Sequence, residues 1–375
     1  MWSQFRHAHS ACVTSLTFSP HVGLYSHLLC STSGDETVAL WDYYSGVSIA
    51  RLRHHREPVN HALFLPDEPH HLLTASDDGS IALWDLRRPD HPLGSLHDFP
   101  EGVNKVILLP LSCLPERGEG SPAFPRPRYL TGSACDDGKV YLHGVYALSD
   151  APNDGEVTFA SSMTIGVLLD SFWASVSTVN DLVWIPETEL LLTASEDGAL
   201  RGWRLGVDPT TPPQERLLQN LDDFENPVNH VVKVPEGWMD PPAGAGIASS
   251  SRSPSPASAS PPCWVLAASS EGVFGIALTA PDGAPDPDVR TFIGHGDYVR
   301  GMSFTPARTL LTVSDDRTAI EWALPTAEPI RQVQLHEGLV MASALSAAGD
   351  AFASGSDTGE IRVWRLPFQT ERLVG

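Results

Sequence analysis

Apolar and polar residues alternate along short stretches of this chain, and each stretch ends at a turn. VTSLTFSP from Val13, VNHALFLP from Val59, VNKVILLP from Val103, VNDLVWIP from Val179, VNHVVKVP from Val228 and VRGMSFTP from Val299 share the pattern. Period-two alternation running into Pro predicts a half-buried β-strand followed by a turn. A second pattern follows each one, with two apolar runs around a small-residue turn. The clearest copies are STSGDETVALWD (31–42), TASDDGSIALWD (74–85), TASEDGALRGWR (193–204), TVSDDRTAIEWA (312–323) and SGSDTGEIRVWR (354–365). In each, an Asp follows a Ser by two residues and a Trp closes six further on, except that Thr358 stands where the last copy needs Asp. Two copies are weaker. SACDDGKVYLHG (133–144) has His143 in place of Trp, and ASSEGVFGIA (268–277) has Glu271 for Asp and Ala277 for Trp.

The closing positions are 41, 84, 143, 203, 277, 322 and 364, and clean neighbours lie 43, 45 and 42 residues apart. A repeat of about 40–45 residues ending in Trp-Asp is the pattern of a propeller blade. His9, His55, His295 and His336 each precede an opening Val by four residues. On these residues the chain resembles the WD-repeat family over essentially its whole length. The resemblance implies an all-β fold: a seven-bladed β-propeller with four antiparallel strands per blade around a central channel. One domain spans 1–375 on this reading. Residues 1–6 are expected to close the ring beside 361–364, which removes exposed sheet edges.

Three blades exceed the repeat length. Residues 111–128 and 237–262 are expected between the first and second strands of blades three and five. Residues 144–177 hold an outer strand plus extra chain, and 206–219 is Pro-rich. The family's strand order puts most inserted chain on one side of the disc, the bottom. The tract 249–262, SSSRSPSPASASPP, cannot bury a core and is expected to be a disordered loop within 237–262. Its Ser253, Ser255 and Ser260 each precede Pro and offer sites to proline-directed kinases, or the tract is a plain spacer.

His9, Ser33 and Asp35 in blade one have the residue types of an acyl-transfer triad. So do His55, Ser76 and Asp78 in blade two, and His295, Ser314 and Asp316 in blade six. An enzyme needs one such set, whereas this chain repeats it. The resemblance implies a structural role, with Asp accepting from His, the Ser bridging and the Trp indole closing the network. No nucleophile elbow, zinc-protease helix, phosphate loop or dinucleotide fingerprint is present. His54–His55 and His70–His71 are strand neighbours that face opposite ways. The sequence therefore predicts no catalytic site, cofactor or metal.

Charge narrows the partner. The net charge is −22, which repels phosphate backbones and anionic lipid. A basic protein segment is the expected ligand, rather than nucleic acid or membrane. Five widely spaced cysteines without a CxxC fit a reducing, intracellular setting. The start MWSQFRHAHS lacks a secretory pattern, and no stretch has the length of a membrane span.

The family's top face suggests where such a ligand would sit. The residues before the turn Asp are Gly34, Asp77, Asp136, Glu196, Ser270, Asp315 and Asp357, five of seven acidic. Those after the opening Val are Thr14, Asn60, Asn104, Asn180, Asn229, Arg300 and Met341, four of seven Asn. An acidic ring around a ring of amides would grip a basic peptide, although Asp and Asn also suit turns for local reasons. Tyr298 adds an aromatic of the type enriched at hot spots. These features predict a non-catalytic scaffold subunit, a monomeric propeller within a hetero-complex. A second surface motif, Leu83-Trp84-Asp85-Leu86-Arg87, resembles the WDxR box of cullin–RING ligase substrate receptors. Arg87 would meet the adaptor from the bottom side.

Overall fold

A computed structural model describes residues 3–21, 23, 25–114, 127–146, 165–206, 216–239, 263–270, 272–278 and 289–368. Among them, strands assemble into seven antiparallel sheets of four strands each. Blade one is representative: Val13–Phe18, Leu28–Ser33, Thr37–Asp42 and Val47–Arg53 follow one another outward. The first strands of successive blades neighbour one another around the axis, and that of blade seven (Val340–Leu345) returns to that of blade one. The predicted seven-bladed propeller is therefore present.

The sequence pattern maps directly onto packing. Val13, Val59, Val103, Val179, Val228, Val299 and Val340 are all 0% exposed. These are the residues that open each alternating stretch, so the marker in the sequence is the anchor of each blade. Apolar residues of the first three strands and their turns fill the space between blades, as Leu65, Leu73, Leu83, Val106 and Tyr141 do between blades two and three. This burial of both sheet faces against neighbours is the main stabilising term.

The ring closes as expected. Ser3–Phe5 is the outer strand of blade seven and pairs with Ile361–Arg365 through Ser3↔Val363 and Phe5↔Ile361. Phe5 stacks on Trp41 of blade one at 4.7 Å between centroids, and Ser3 Oγ donates to the Tyr43 carbonyl at 2.9 Å. The same segment thus latches the last blade to the first.

The two weak copies are repaired locally. In blade one Leu29 faces Trp41 across the sheet, while in blade five Trp264 faces Ala277. The indole has moved to the partner strand, so the pair keeps its large ring while being smaller by three carbons. In blade three His143 is fully buried and meets Asp98 through Nε2 at 3.2 Å. Residues 111–128 and 237–262 fall between the first and second strands of blades three and five, as predicted. The tract 249–262 with Ser253, Ser255 and Ser260, and also Glu271, lie outside the described residues.

Blade two, like blade seven, has a short outer strand. Gly94–Leu96 has three residues, against seven in Val47–Arg53.

Phe5→Ala should weaken the closure. Deleting a buried ring costs about 3 kcal/mol, so urea denaturation should show that loss with the propeller's strand content retained.

Candidate interaction surface at the channel mouth

Each blade must hold its second-to-third turn against the loop that enters its first strand. In blade six the Trp322 indole donates to Thr312 Oγ1 at 2.9 Å, Thr312 Oγ1 meets His295 Nε2 at 2.7 Å, and His295 Nδ1 meets Asp316 Oδ2 at 2.8 Å. A His protonated on Nδ1 satisfies every group in this relay. Asp316 also accepts from the Gly296 amide at 3.1 Å, which ties the incoming loop to the turn. Blade two repeats the relay through Trp84, Thr74, His55 and Asp78. Blade one does so through Trp41, Ser31, His9 and Asp35.

The bridging hydroxyl corrects the sequence expectation. It is Ser31, Thr74 and Thr312, two residues before Ser33, Ser76 and Ser314. The hydroxyls of Ser33, Ser76 and Ser314 instead accept the amides of Asp35, Asp78 and Asp316. The reason is strand geometry: residues two apart share a face, and only the earlier one lies opposite the His ring. Blade seven departs further. His336 Nδ1 meets Glu360 Oε2 at 3.2 Å, so Glu360 does the work expected of residue 358. Thr358 bonds to Ser356. Adding an Asp at 358 is therefore expected to gain nothing.

Other blades substitute the relay. Blade four has Ser175 and Arg201 donating to Asp197 Oδ2 at 2.8 and 2.9 Å. Blade three packs Phe99 edge-on against Tyr141, whose hydroxyl donates to Asp137 at 2.7 Å. Blade five packs Phe224 on Phe274.

The mouth of the channel is built by a repeated β-bulge. Register shifts fall at Val13/Ser15, Val59/His61, Val103/Lys105, Val179/Asp181, Val299/Gly301 and Val340/Ala342. The extra residue in each is Thr14, Asn60, Asn104, Asn180, Arg300 or Met341. A bulge re-aims its side chain, and here the aim is sideways to the next blade. Asn60 Nδ2 donates to the Val103 carbonyl at 3.2 Å, Asn104 to Val179 at 3.1 Å and Asn180 to Val228 at 3.0 Å. Thr14 Oγ1 likewise reaches the Val59 carbonyl. Asn229 precedes the first strand of blade five, and its own amide bonds to the Ala268 carbonyl. The amides thus join blades to each other.

The acidic positions separate into two groups. Asp315 is neutralised by a two-pronged pair with Arg300, Nε to Oδ1 at 3.0 Å and Nη2 to Oδ2 at 2.6 Å. Arg300 also lies over the Tyr298 ring at 5.2 Å. Asp77 and Asp136 differ. They converge over Gly102, where an added Cβ would stand 2.8 Å from Asp77 Oδ1 and 2.7 Å from Asp136 Oδ2. Asn60 and Asn104 donate to them, and no Lys or Arg pairs with either among the described residues. Burial and the Asp136 charge outweigh the Asn60 bond and raise the Asp77 pKa. Glu196 accepts from Ser177 Oγ at 3.2 Å. Asp357 Oδ1 is buried against Gly338 without a hydrogen-bond partner.

Below the bulges lies a cluster that sequence reasoning missed. Asp181 is 2% exposed, pairs with Lys105 Nζ at 3.2 Å and bonds His230 and the Val231 amide. His61 is near all three, and burial drives its pKa well below normal. These four residues share one place, two after the opening Val. Aligning the copies at that place would have exposed the cluster.

Arg87 sits past the third strand of blade two on the other side of the disc. Its guanidinium grips Asp85 of the same box, Nε to Oδ1 at 2.8 Å and Nη2 to Oδ2 at 2.7 Å, while its side chain stays 55% exposed. That bond, above all, holds the Asp85 carboxyl down at a pKa of about 2.

The comparisons agree with the geometry. The family model described as WD domain, G-beta repeat, matches residues 3–42, 46–85, 166–204, 287–322 and 327–365, just over half of the chain. The chain belongs to the WD-repeat family. Its unmatched stretches hold most of blades three and five, whose closing residues are His143 and Ala277. Among relatives, human apoptotic protease-activating factor 1 is 21% identical over 371 residues, covering 96% of this chain and 26% of that protein. Nuclear distribution protein PAC1 of Arthroderma benhamiae is 24% identical over 324 residues, covering 85% and 61% respectively. Mitochondrial division protein 1 of Mycosarcoma maydis is 41% identical over 83 residues, 22% of this chain and 9% of that one. The chain thus spans only part of each of these relatives.

Two predictions follow from the relay. Thr312→Val strands the buried His295 Nε2 and Trp322 indole and should cost about 2–4 kcal/mol, whereas Ser314→Ala should cost about 1 kcal/mol. Thermal denaturation giving the reverse order would refute the assignment of the bridge. The second concerns pH. Burial lowers the pKa of His9, His61, His143 and His336. Below about pH 6.5 the unfolded chain gains protons that the folded chain refuses, so stability falls on acidification, by up to about 1.4 kcal/mol per pH unit per histidine. Asp35 works against burial through bonds from Thr37, Ser10 and His9, which hold it at about 2. It adds a further loss below about pH 4. Melting temperatures measured from pH 8 to pH 5 should be flat at first and then decline.

Proposed function

We propose that this chain, as one propeller domain over 1–375, is a non-catalytic scaffold subunit that holds a basic segment of a protein partner at the channel mouth. The observation that carries the reading is the Asp77–Asp136 pair. Two carboxylates share the space over Gly102 with amide donors and, among the described residues, no Lys or Arg, and burial, with the Asp136 charge adding to it, raises the Asp77 pKa. A Lys or Arg side chain from a partner relieves the repulsion between them and forms charge-assisted hydrogen bonds. Glu196 and Asp357 extend the acidic arc, and Tyr298 offers an aromatic face beside it. The net charge of −22 adds long-range attraction for a basic protein. The same charge disfavours nucleic acid and anionic membrane, and no helix among the described residues is long and apolar enough to cross a bilayer. All five cysteines are free thiols, in keeping with an intracellular setting.

The substrate-receptor reading keeps one supporting feature, the exposed guanidinium of Arg87 on the far side. An affinity pull-down separates the two. Recovery of a ligase adaptor that is lost with Arg87→Ala supports the receptor, and a stable assembly without ligase subunits supports the scaffold.

For the mouth, Asp77→Lys combined with Asp136→Lys should abolish binding of a short Lys/Arg-rich peptide. The melting temperature should change little, because both residues lie outside the His–Asp relays. Wild-type affinity should fall as salt rises, since exposed charges are screened over about 8–10 Å at physiological ionic strength. Fluorescence anisotropy at several salt concentrations checks both. Retained affinity in the double variant would sink the mouth reading.

A further inference from the structure

We propose that the groove between blades two and three, on the side away from the mouth, is a second recognition site. It takes an acidic protein segment in which an Asp or Glu adjoins a large aliphatic or aromatic side chain. This inference stands independently of the mouth.

Among the described residues, blade two has little outer cover beside this groove. Its outer strand is only Gly94–Leu96, and its last bond inward runs from the Leu93 amide to the Leu83 carbonyl at 2.7 Å. The third strand, Ser80–Asp85, therefore ends without an outer partner beyond Leu83. A cavity of about 230 Å³ opens there, with Leu65, Leu83, Leu93 and Val145 among its apolar lining. That is smaller than the roughly 300–1,000 Å³ of sites for drug-sized ligands. It suits one or two peptide side chains rather than a cofactor.

The polar lining selects the charge. Arg87 and Arg128 border the cavity together with Asp85, Glu68 and His71, so the charge it selects depends on which donors those carboxylates leave free. Arg87 commits Nε and Nη2 to Asp85, and Nη1 donates to nothing among the described residues. Arg128 Nη1 pairs with Glu68 at 2.5 Å, and its guanidinium lies beside the Tyr129 ring, 5.6 Å from the centroid. Both guanidiniums keep exposed faces: the side chains are 55% and 41% accessible. Tyr129 is 92% buried, the complement of its 8% exposure, and its hydroxyl makes no well-formed hydrogen bond. Arg128 meets this hydroxyl only as a donor, so its proton has no acceptor among the described residues, and Tyr129 lines the cavity. With an arginine beside it, its proton is available to an acceptor. Two guanidiniums and one hydroxyl donor above an apolar floor recognise a carboxylate joined to an apolar group. Asp85 and Glu68 orient the guanidiniums, so they are held ready before a ligand arrives.

The probe is a short fluorescein-labelled peptide of Gly and Ser with a central Glu-Phe, titrated into the full chain by anisotropy. Two controls replace Glu-Phe with Gln-Phe or Glu-Ser. The expected result is saturable binding of the Glu-Phe peptide, at least tenfold weaker for either control. Arg87→Ala and Arg128→Ala should each weaken it about tenfold or more. Tyr129→Phe, which keeps the ring and removes only the hydroxyl, should weaken it about fivefold. The Asp77→Lys, Asp136→Lys protein should bind the peptide as the wild type does, so a failed mouth and a failed groove give different results. Equal binding of Glu-Phe and Gln-Phe, no saturable binding up to millimolar protein, or unchanged affinity in both Tyr129→Phe and Arg128→Ala would overturn the proposal.

Discussion

A single extra residue in the first strand of a blade decides where the chemistry of this propeller goes. Without the bulge, strand alternation would send the residue after each opening Val into a blade face or straight into the channel. With it, that side chain turns along the rim. Asn60, Asn104 and Asn180 then reach the carbonyl of the next blade's Val. Neighbouring blades are held at fixed spacing, and the turn carboxylates beside the bulges inherit that spacing. Asp77 and Asp136 meet over Gly102 because their blades are joined just below them. A rim held by hydrogen bonds is also preorganised, so a partner orders little of it on binding.

The fold was legible because its signals are local and repeated. Each opening Val is an anchor, each Pro follows a strand, and the Trp of blades one, two, six and seven closes a relay. The site was legible only in part. Position along the chain identified which residues reach the rim, but their partners lie one blade away. In sequence the four Asn offer a ring of amides to a basic peptide, yet three of them staple blades, because the acceptor carbonyls belong to residues about 43–75 positions further on. Asp315 was grouped with the other acids, yet Arg300 neutralises it. The bridging hydroxyl was placed on Ser33 rather than Ser31, a difference of one strand period that spacing alone does not decide. Glu360 was missed because it lies two residues past the expected place.

Blades three and five show how far the repeat bends before it breaks. Blade three keeps the turn Asp but holds it with Tyr141 rather than a histidine. Blade five gives up the polar relay among its described residues and fills the same space with Phe224, Phe274 and a Trp264–Ala277 exchange. A polar relay fixes geometry but must be complete, since a buried unpaired group is costly. Replacing all of it by apolar packing avoids that liability. Degenerate closing residues therefore mark a different solution to the same packing problem, and they account for where the family model fails to match.

The latch of Ser3–Phe5 onto Ile361–Arg365 also carries a timetable. On a ribosome adding about 5–20 residues per second, Ser3 emerges roughly 20–70 s before Val363. Throughout that interval the strand has no backbone partner. In the folded protein, however, Phe5 packs on Trp41 and Ser3 bonds to the Tyr43 carbonyl, contacts that require blade one alone. The nascent chain can thus park its first strand against blade one and keep that edge from other chains. The final blade then needs only to arrive at a berth already in place.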